Sequence, residues 1–146
     1  MDIDFSLIIY HFYQLGIAFA LALPIAYNRE YKSDNAGLRT FPLVAISACA
    51  FMLVGREVYQ DGEAEARVMY GIITGIGFIG GGAILKNSER VAGTATAAGI
   101  WLVGAIGVTV AYARYEISLV LCALGFFIFQ FSDPMKKHCG VKEPDE

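Results

Sequence analysis

Residues 71–85 read GIITGIGFIGGGAIL, with six glycines in a stretch that is otherwise apolar apart from one threonine. In a water-exposed helix each glycine costs about 1 kcal/mol against alanine. Inside a bilayer the same residues gain something, because lipid provides no hydrophobic force between helices. Association then depends on van der Waals contact and interhelical hydrogen bonds, and small residues let backbones approach. On a helix of about 3.6 residues per turn, Gly71, Gly75 and Gly82 fall on one side, and Gly77, Gly80 and Gly81 gather on the other. Such a helix can be approached closely from two directions. Further on, Gly93, Ala97, Gly104, Gly107 and Ala111 form a stripe interrupted only by Ile100. This pattern predicts that the third and fourth apolar segments pack together. An alternative is that Gly80, Gly81 and Gly82 bend or break the helix and bare backbone groups, which membranes tolerate where the break lines a cavity.

The rest of the chain supports the membrane setting. Of 146 residues, 56% are hydrophobic and 17% charged, with a mean hydropathy of +0.53, beyond the usage of soluble domains. The charges cluster at 28–39, 56–67, 86–90, 114–116 and 133–146. Between these clusters lie five apolar segments, Phe5 to Tyr27, Leu38 to Gly55, Val68 to Leu85, Val91 to Ala113 and Ile117 to Phe131. Each comes near the length of about 20 residues that crosses a bilayer. The expected fold is an all-α, polytopic bundle of five transmembrane helices over residues 1–132, with a short polar tail at 133–146. The N-terminus, MDIDFSL, carries two acids and no base, unlike a cleaved secretory signal, so the first segment is expected to stay as a helix. With the N-terminus outside, eight Lys and Arg residues lie inside and three, Arg56, Arg67 and Arg114, lie outside. That asymmetry predicts N-out, C-in.

Polar residues within or beside the spans are the functional candidates. Arg29, Glu30 and Arg39 stand at the ends of the first two segments, where an arginine–carboxylate pair between helix ends is possible and a charge drawn into the bundle is costly and functional by default. Basic residues there also set topology and can snorkel to water. The outer loop REVYQDGEAEAR (56–67) offers Glu57, Asp61, Glu63 and Glu65 as oxygen donors to a cation such as magnesium, although such loops are more often only solvated. His11 and Gln14, polar groups within the first span, are expected to face the bundle or the interface, where a hydrogen bond is available, and Trp101 is expected to pack against neighbouring helices. Cys49, Cys122 and Cys139 have neither metal-binding nor disulfide spacing. No nucleophile–base pair or phosphate loop is present, because GIGFIGGG lacks the Gly-Lys-Ser/Thr that would follow. An enzyme is therefore not expected, no cofactor is implied, and nothing points to nucleic acid.

Three stretches in this order and spacing, NREYKSDNAGLRTFPLV (28–44), GIGFIGGGAIL (75–85) and GTATAAGIWLVGAIG (93–107), resemble the MgtC/SapB family of membrane proteins. The resemblance covers that family's glycine-rich membrane portion and nearly all of this chain. It matches at Arg29, Glu30, Ala36, Gly37, Leu38, Arg39 and Thr40, at Arg67, eight residues before the Gly-Ile-Gly-Phe motif, and at Thr96. It departs at Asn28, where the family has an acid, and at Ala95, where it has a threonine. No counterpart of the soluble C-terminal domain of many members is expected in this chain. The resemblance implies a bacterial inner-membrane protein tied to growth under magnesium limitation, with Arg29, Glu30, Arg39, Thr40, Arg67 and Thr96 as functional candidates. The expected role is a regulator or adaptor that contacts another membrane protein, or itself as a homodimer, in the lipid bilayer. The alternative is a magnesium or proton transporter or channel.

Overall fold

A computed structural model of the chain describes residues 4–31, 37–59, 61–86 and 91–138. The described chain is helical: α1 (Phe5–Glu30), α2 (Thr40–Val58), α3 (Gly62–Gly82), α4 (Thr94–Ala111) and α5 (Tyr115–His138). Between α3 and α4 lie two-residue strands, β1 (Leu85–Lys86) and β2 (Val91–Ala92), paired antiparallel with Leu85 opposite Ala92. Four helices are long and apolar enough to cross a membrane: α1, α2, α4 and the Tyr115–Ser132 portion of α5. The exception is α3, which has Glu63, Glu65 and Arg67 in its first two turns and weakly apolar glycines thereafter.

Helix boundaries depart from the apolar segments where capping outweighs hydropathy. α3 begins six residues before Val68, because Asp61 accepts the Glu63 N–H at 3.3 Å and the acidic first turn complements the helix dipole. It ends at Gly82, where Ala83 N–H donates to Gly80 and Ile84 N–H to Gly81 in tightened turns. The glycine triplet therefore closes α3 and does not break it within the span. α5 continues past residue 132 to His138, so the predicted tail starts as helix, and residues 139–146, with Cys139, lie outside the described residues.

α4 is the hub, packing against α1, α2, α3 and α5. It is apolar all round, as a helix buried on most of its circumference must be. Its small-residue stripe does not all face α3, as the wheel alone suggested. Gly80 of α3 packs on the Ala97 backbone, and Ile76 fills the space at Gly104. Gly107, by contrast, faces α2, where any Cβ would overlap the Ala45 carbonyl oxygen. Gly93 lies outside the helix as its N-cap, at φ 83°, with its Cα pressed against the Ala83 carbonyl. That left-handed turn, which excludes a Cβ, returns the chain from β2 into α4.

The remaining glycines of α3 meet little among the described residues. Gly77 borders Trp101, while Gly71, Gly75, Gly81 and Gly82 have open space where a Cβ would stand. Trp101, expected to pack against neighbouring helices, is half-exposed at 52% on the bundle surface.

Candidate functional site

The last turn of α1 holds three consecutive polar side chains that reach three different helices. Asn28 is buried and donates from Nδ2 to Oε1 of Gln130 on α5 at 2.7 Å. Arg29, 7% exposed, donates from Nη2 to Oγ1 of Thr96 on α4 at 3.0 Å, and its guanidinium lies 5.4 Å from the centroid of the Phe129 ring on α5. Glu30 stays at the surface, where Oε2 accepts the Leu38 N–H at 2.8 Å. Helical geometry accounts for the divergence, since successive residues point about 100° apart.

Each contact has a local cause. α2 starts at Thr40 with Arg39 as its N-cap, and Arg39 supplies no side-chain cap. The carboxylate of Glu30 instead holds the turn just ahead of it, accepting from the N–H of Leu38, the residue before the N-cap, on the side of the positive end of the α2 dipole. Gly37 makes this approach possible, because a Cβ there would overlap Glu30. Arg39 is exposed and Thr40 half-buried, beside this turn but apart from the Arg29–Thr96 contact. Glu30 thus ties the end of α1 to the backbone just before α2. Replacing Glu30 by alanine is expected to cost about 1 kcal/mol, the usual net value of one hydrogen bond, read as a lower unfolding temperature in detergent. Glu30→Gln, which keeps an acceptor, should recover part of it.

Thr96 is fully buried in the first turn of α4. Its hydroxyl gives the guanidinium an acceptor in a place that water does not reach, and the Phe129 ring face adds a cation–π contact. The arrangement can hold the ends of α1, α4 and α5 in one register.

Arg67 lies at the opposite end of the bundle, exposed and paired with Glu63 at 2.6 Å within α3. Near it a second cluster joins three helices, and sequence reading missed it. Arg56 donates to the Ala111 carbonyl at the end of α4, stands 4.8 Å over the Tyr112 ring and lies 3.6 Å from Glu65. Burial, followed by the hydrogen bond with Glu65, pushes the Tyr112 phenol up to about 12. Glu65, read from sequence as one of the outer-loop oxygen donors, is engaged by Arg56 and Tyr112. Among the described residues no three of His, Cys, Asp or Glu are placed to hold a metal ion. Gln14 is fully buried; it donates to Tyr10 Oη at 2.9 Å and accepts from Tyr115 Oη at 2.7 Å. A polar residue in the middle of an apolar span was the signal for it.

Comparison with known proteins places these clusters in a family. The family model described as the MgtC family matches residues 15–138, from the middle of α1 to the end of α5. The chain belongs to the MgtC family. Among MgtC-family relatives, "Putative magnesium transporter YhiD" of Escherichia coli K12 is 33% identical over 102 residues, covering 65% of this chain and 47% of that protein. "Protein MgtC" of Brucella abortus is 41% identical over 94 residues, covering 64% of this chain and 39% of that protein. "Protein SrpB" of Synechococcus elongatus is 32% identical over 125 residues, covering 73% and 69%. The chain spans less than half the length of the YhiD and MgtC relatives it matches. No solved structure matches it.

Proposed function

We propose that this MgtC-family chain is a bacterial inner-membrane regulator of adaptation to low magnesium, acting by docking another membrane protein, or a second copy of itself, on the open face of α3. The observation that carries the reading is the two-sidedness of that helix. Ile72, Ile76 and Gly80 are buried against the bundle, while Gly71, Gly75 and Gly82 have no neighbour at the Cβ position and share the opposite side with Phe78, 85% exposed. Notches and one large apolar side chain on a lipid-facing helix suit close helix–helix approach, which in lipid depends on such small residues.

In this reading α3 also crosses the bilayer. A 21-residue helix is about 31 Å long at about 1.5 Å per residue, matching a hydrocarbon core of about 30 Å. Five crossings put the termini on opposite sides, and the bias of Lys and Arg favours N-out, C-in. Arg67 and the Arg56 cluster then lie outside, and the Arg29 node inside.

The second reading, a magnesium or proton transporter, draws on the buried Arg29–Thr96 contact and on the printed name of the YhiD relative. Against it, Ala18, Ala22, Ala45, Cys49 and Val103 are fully buried between the polar clusters at the two ends, so the interior there is filled with apolar side chains. Two measurements separate the readings. Gly75→Leu should fold with wild-type stability, since the space is open, yet fail to restore growth of a deletion strain in low magnesium. Liposomes containing only the purified protein should show magnesium and proton flux no higher than empty liposomes. Robust flux removed by Glu30→Gln would overturn the regulatory reading, as would full complementation by Gly75→Leu.

A further inference from the structure

α1 runs on past the end of the bundle. Gln14 is its first buried residue, nine residues after the helix begins at Phe5. The Gln14 side chain accepts from Tyr115, the first residue of α5, and α4 has ended just before, at Ala111. Arg56, near the end of α2, reaches the same level by donating to the Ala111 carbonyl. Beyond this rim the outer turns of α1 add about 14 Å at about 1.5 Å per residue. The helix is capped at its far end, where Asp4 accepts the Ser6 N–H at 2.9 Å.

Residues 5–13 have no polar side. Leu7, Ile8, Ile9, Tyr10, Phe12 and Tyr13 are all exposed, and at about 100° per residue they stand round the whole circumference. Ser6 is bonded to Asp4, and His11, half-buried, lies edge-on to the Tyr10 ring. A helix that docks on a protein surface in water shows one apolar stripe and one polar face. Apolar exposure on every side fits a continuous apolar medium instead.

Two lengths say how far that medium reaches. From Arg29 to Gln14 the bundle is about 23 Å tall, against a hydrocarbon core of about 30 Å. With its outer turns α1 reaches about 36 Å. The rim itself carries Arg114 and Glu116 around the start of α5, both exposed, and charges are costly to hold in hydrocarbon. A span shorter than the bilayer is accommodated by local thinning.

We propose that residues 5–13 of α1 are anchored in the acyl layer of the leaflet at that end, and that the rest of the rim stops below its headgroups in a water-filled notch. Water then reaches Arg56, Glu65 and Tyr112 within the depth of the membrane, beside a helix that lipid surrounds. Neither the docking face of α3 nor its bilayer crossing enters, because α2 and α5 set the rim.

The test is tryptophan quenching of the full chain in phosphatidylcholine nanodiscs, which leave both membrane faces open to a soluble quencher. Trp101, the one tryptophan of the chain, is replaced by Phe, and a reporter is introduced by Ile9→Trp or by Glu116→Trp. Ile8→Trp and Arg114→Trp form a second pair should either variant fail to fold. By level along the helices position 9 is the farther from the membrane centre, yet it should be the dry one. Lipids brominated along their chains should quench most of the Ile9→Trp emission, and iodide should quench Glu116→Trp several-fold more strongly than Ile9→Trp. Equal iodide quenching of the two would place the segment in water. Shielding of Ile9→Trp from both quenchers would place protein around it, and Glu116→Trp quenched by brominated lipid but not by iodide would remove the notch. Each of these three results overturns the proposal.

Discussion

Gly107→Val is expected to unfold at a temperature far below that of the wild-type protein in detergent, while the same change at Gly75 gives protein at least as stable as the wild type. The two positions are both glycines of apolar helices, yet their surroundings are opposite. At Gly107 a Cβ would overlap the carbonyl oxygen of Ala45 and crowd the Ala48 side chain, so α2 and α4 would have to separate along their length. Overpacking of a core costs about 1–3 kcal/mol even when side chains can yield, and here the obstacle is backbone. Against a total stability of about 5–15 kcal/mol, a loss at or above the top of that range should lower the midpoint of thermal unfolding by on the order of 10 °C. At Gly75 nothing lies within 4 Å of the added carbon, and losing a glycine from a helix favours folding by up to about 1 kcal/mol. A Gly107→Val protein that unfolds at the wild-type temperature would contradict the α2–α4 packing.

The second large effect is expected at Arg29. Arg29→Ala removes a buried guanidinium from Thr96 and Phe129 and leaves both a cavity and a buried hydroxyl that has lost this partner. Thr96→Val removes the acceptor while keeping the volume. Each should destabilise the protein by about 1–3 kcal/mol, the value of a hydrogen bond to a charged group in a buried place. Because the two groups share one hydrogen bond, the double variant should lose less than the sum, by about 1 kcal/mol or more. Arg29→Lys keeps the charge but not the planar fork, so it should recover only part of the loss. The readout is chemical or thermal unfolding in detergent of the four proteins of the cycle. Additive losses would mean that the Arg29–Thr96 contact does not contribute.

How much of this could be read beforehand varied with the range of the interaction involved. Helix count and order followed from clusters of charge separated by apolar runs, because a bilayer-spanning helix leaves that record in one dimension. The start of α3 did not, since hydropathy sees the charged turn at Glu63–Arg67 as loop; the capping pattern of Asp61 with Glu63 and Glu65 was the signal to weigh instead. The end of α3 was equally local, because glycines at a helix C-terminus are a stop signal, but in an apolar run they read as packing. A helical wheel correctly found small faces on α3 and α4 yet could not say which neighbour fills each, so Gly107 was assigned toward α3 and lies against α2. Arg29 and Thr96 were both picked out through the family motif, but their contact joins residues 67 apart and leaves no periodic trace. Gln130 and Phe129, in an ordinary-looking apolar segment, gave no signal at all.

The regulatory reading stands on the open side of α3 being covered by protein. The most direct measurement places a photo-crosslinking amino acid at position 78 in native membranes, with and without Gly75→Leu in the same chain. The account predicts a discrete adduct with a second copy or with another membrane protein, lost when Gly75 is replaced. Adducts with lipid alone, or a protein adduct indifferent to Gly75→Leu, would contradict it.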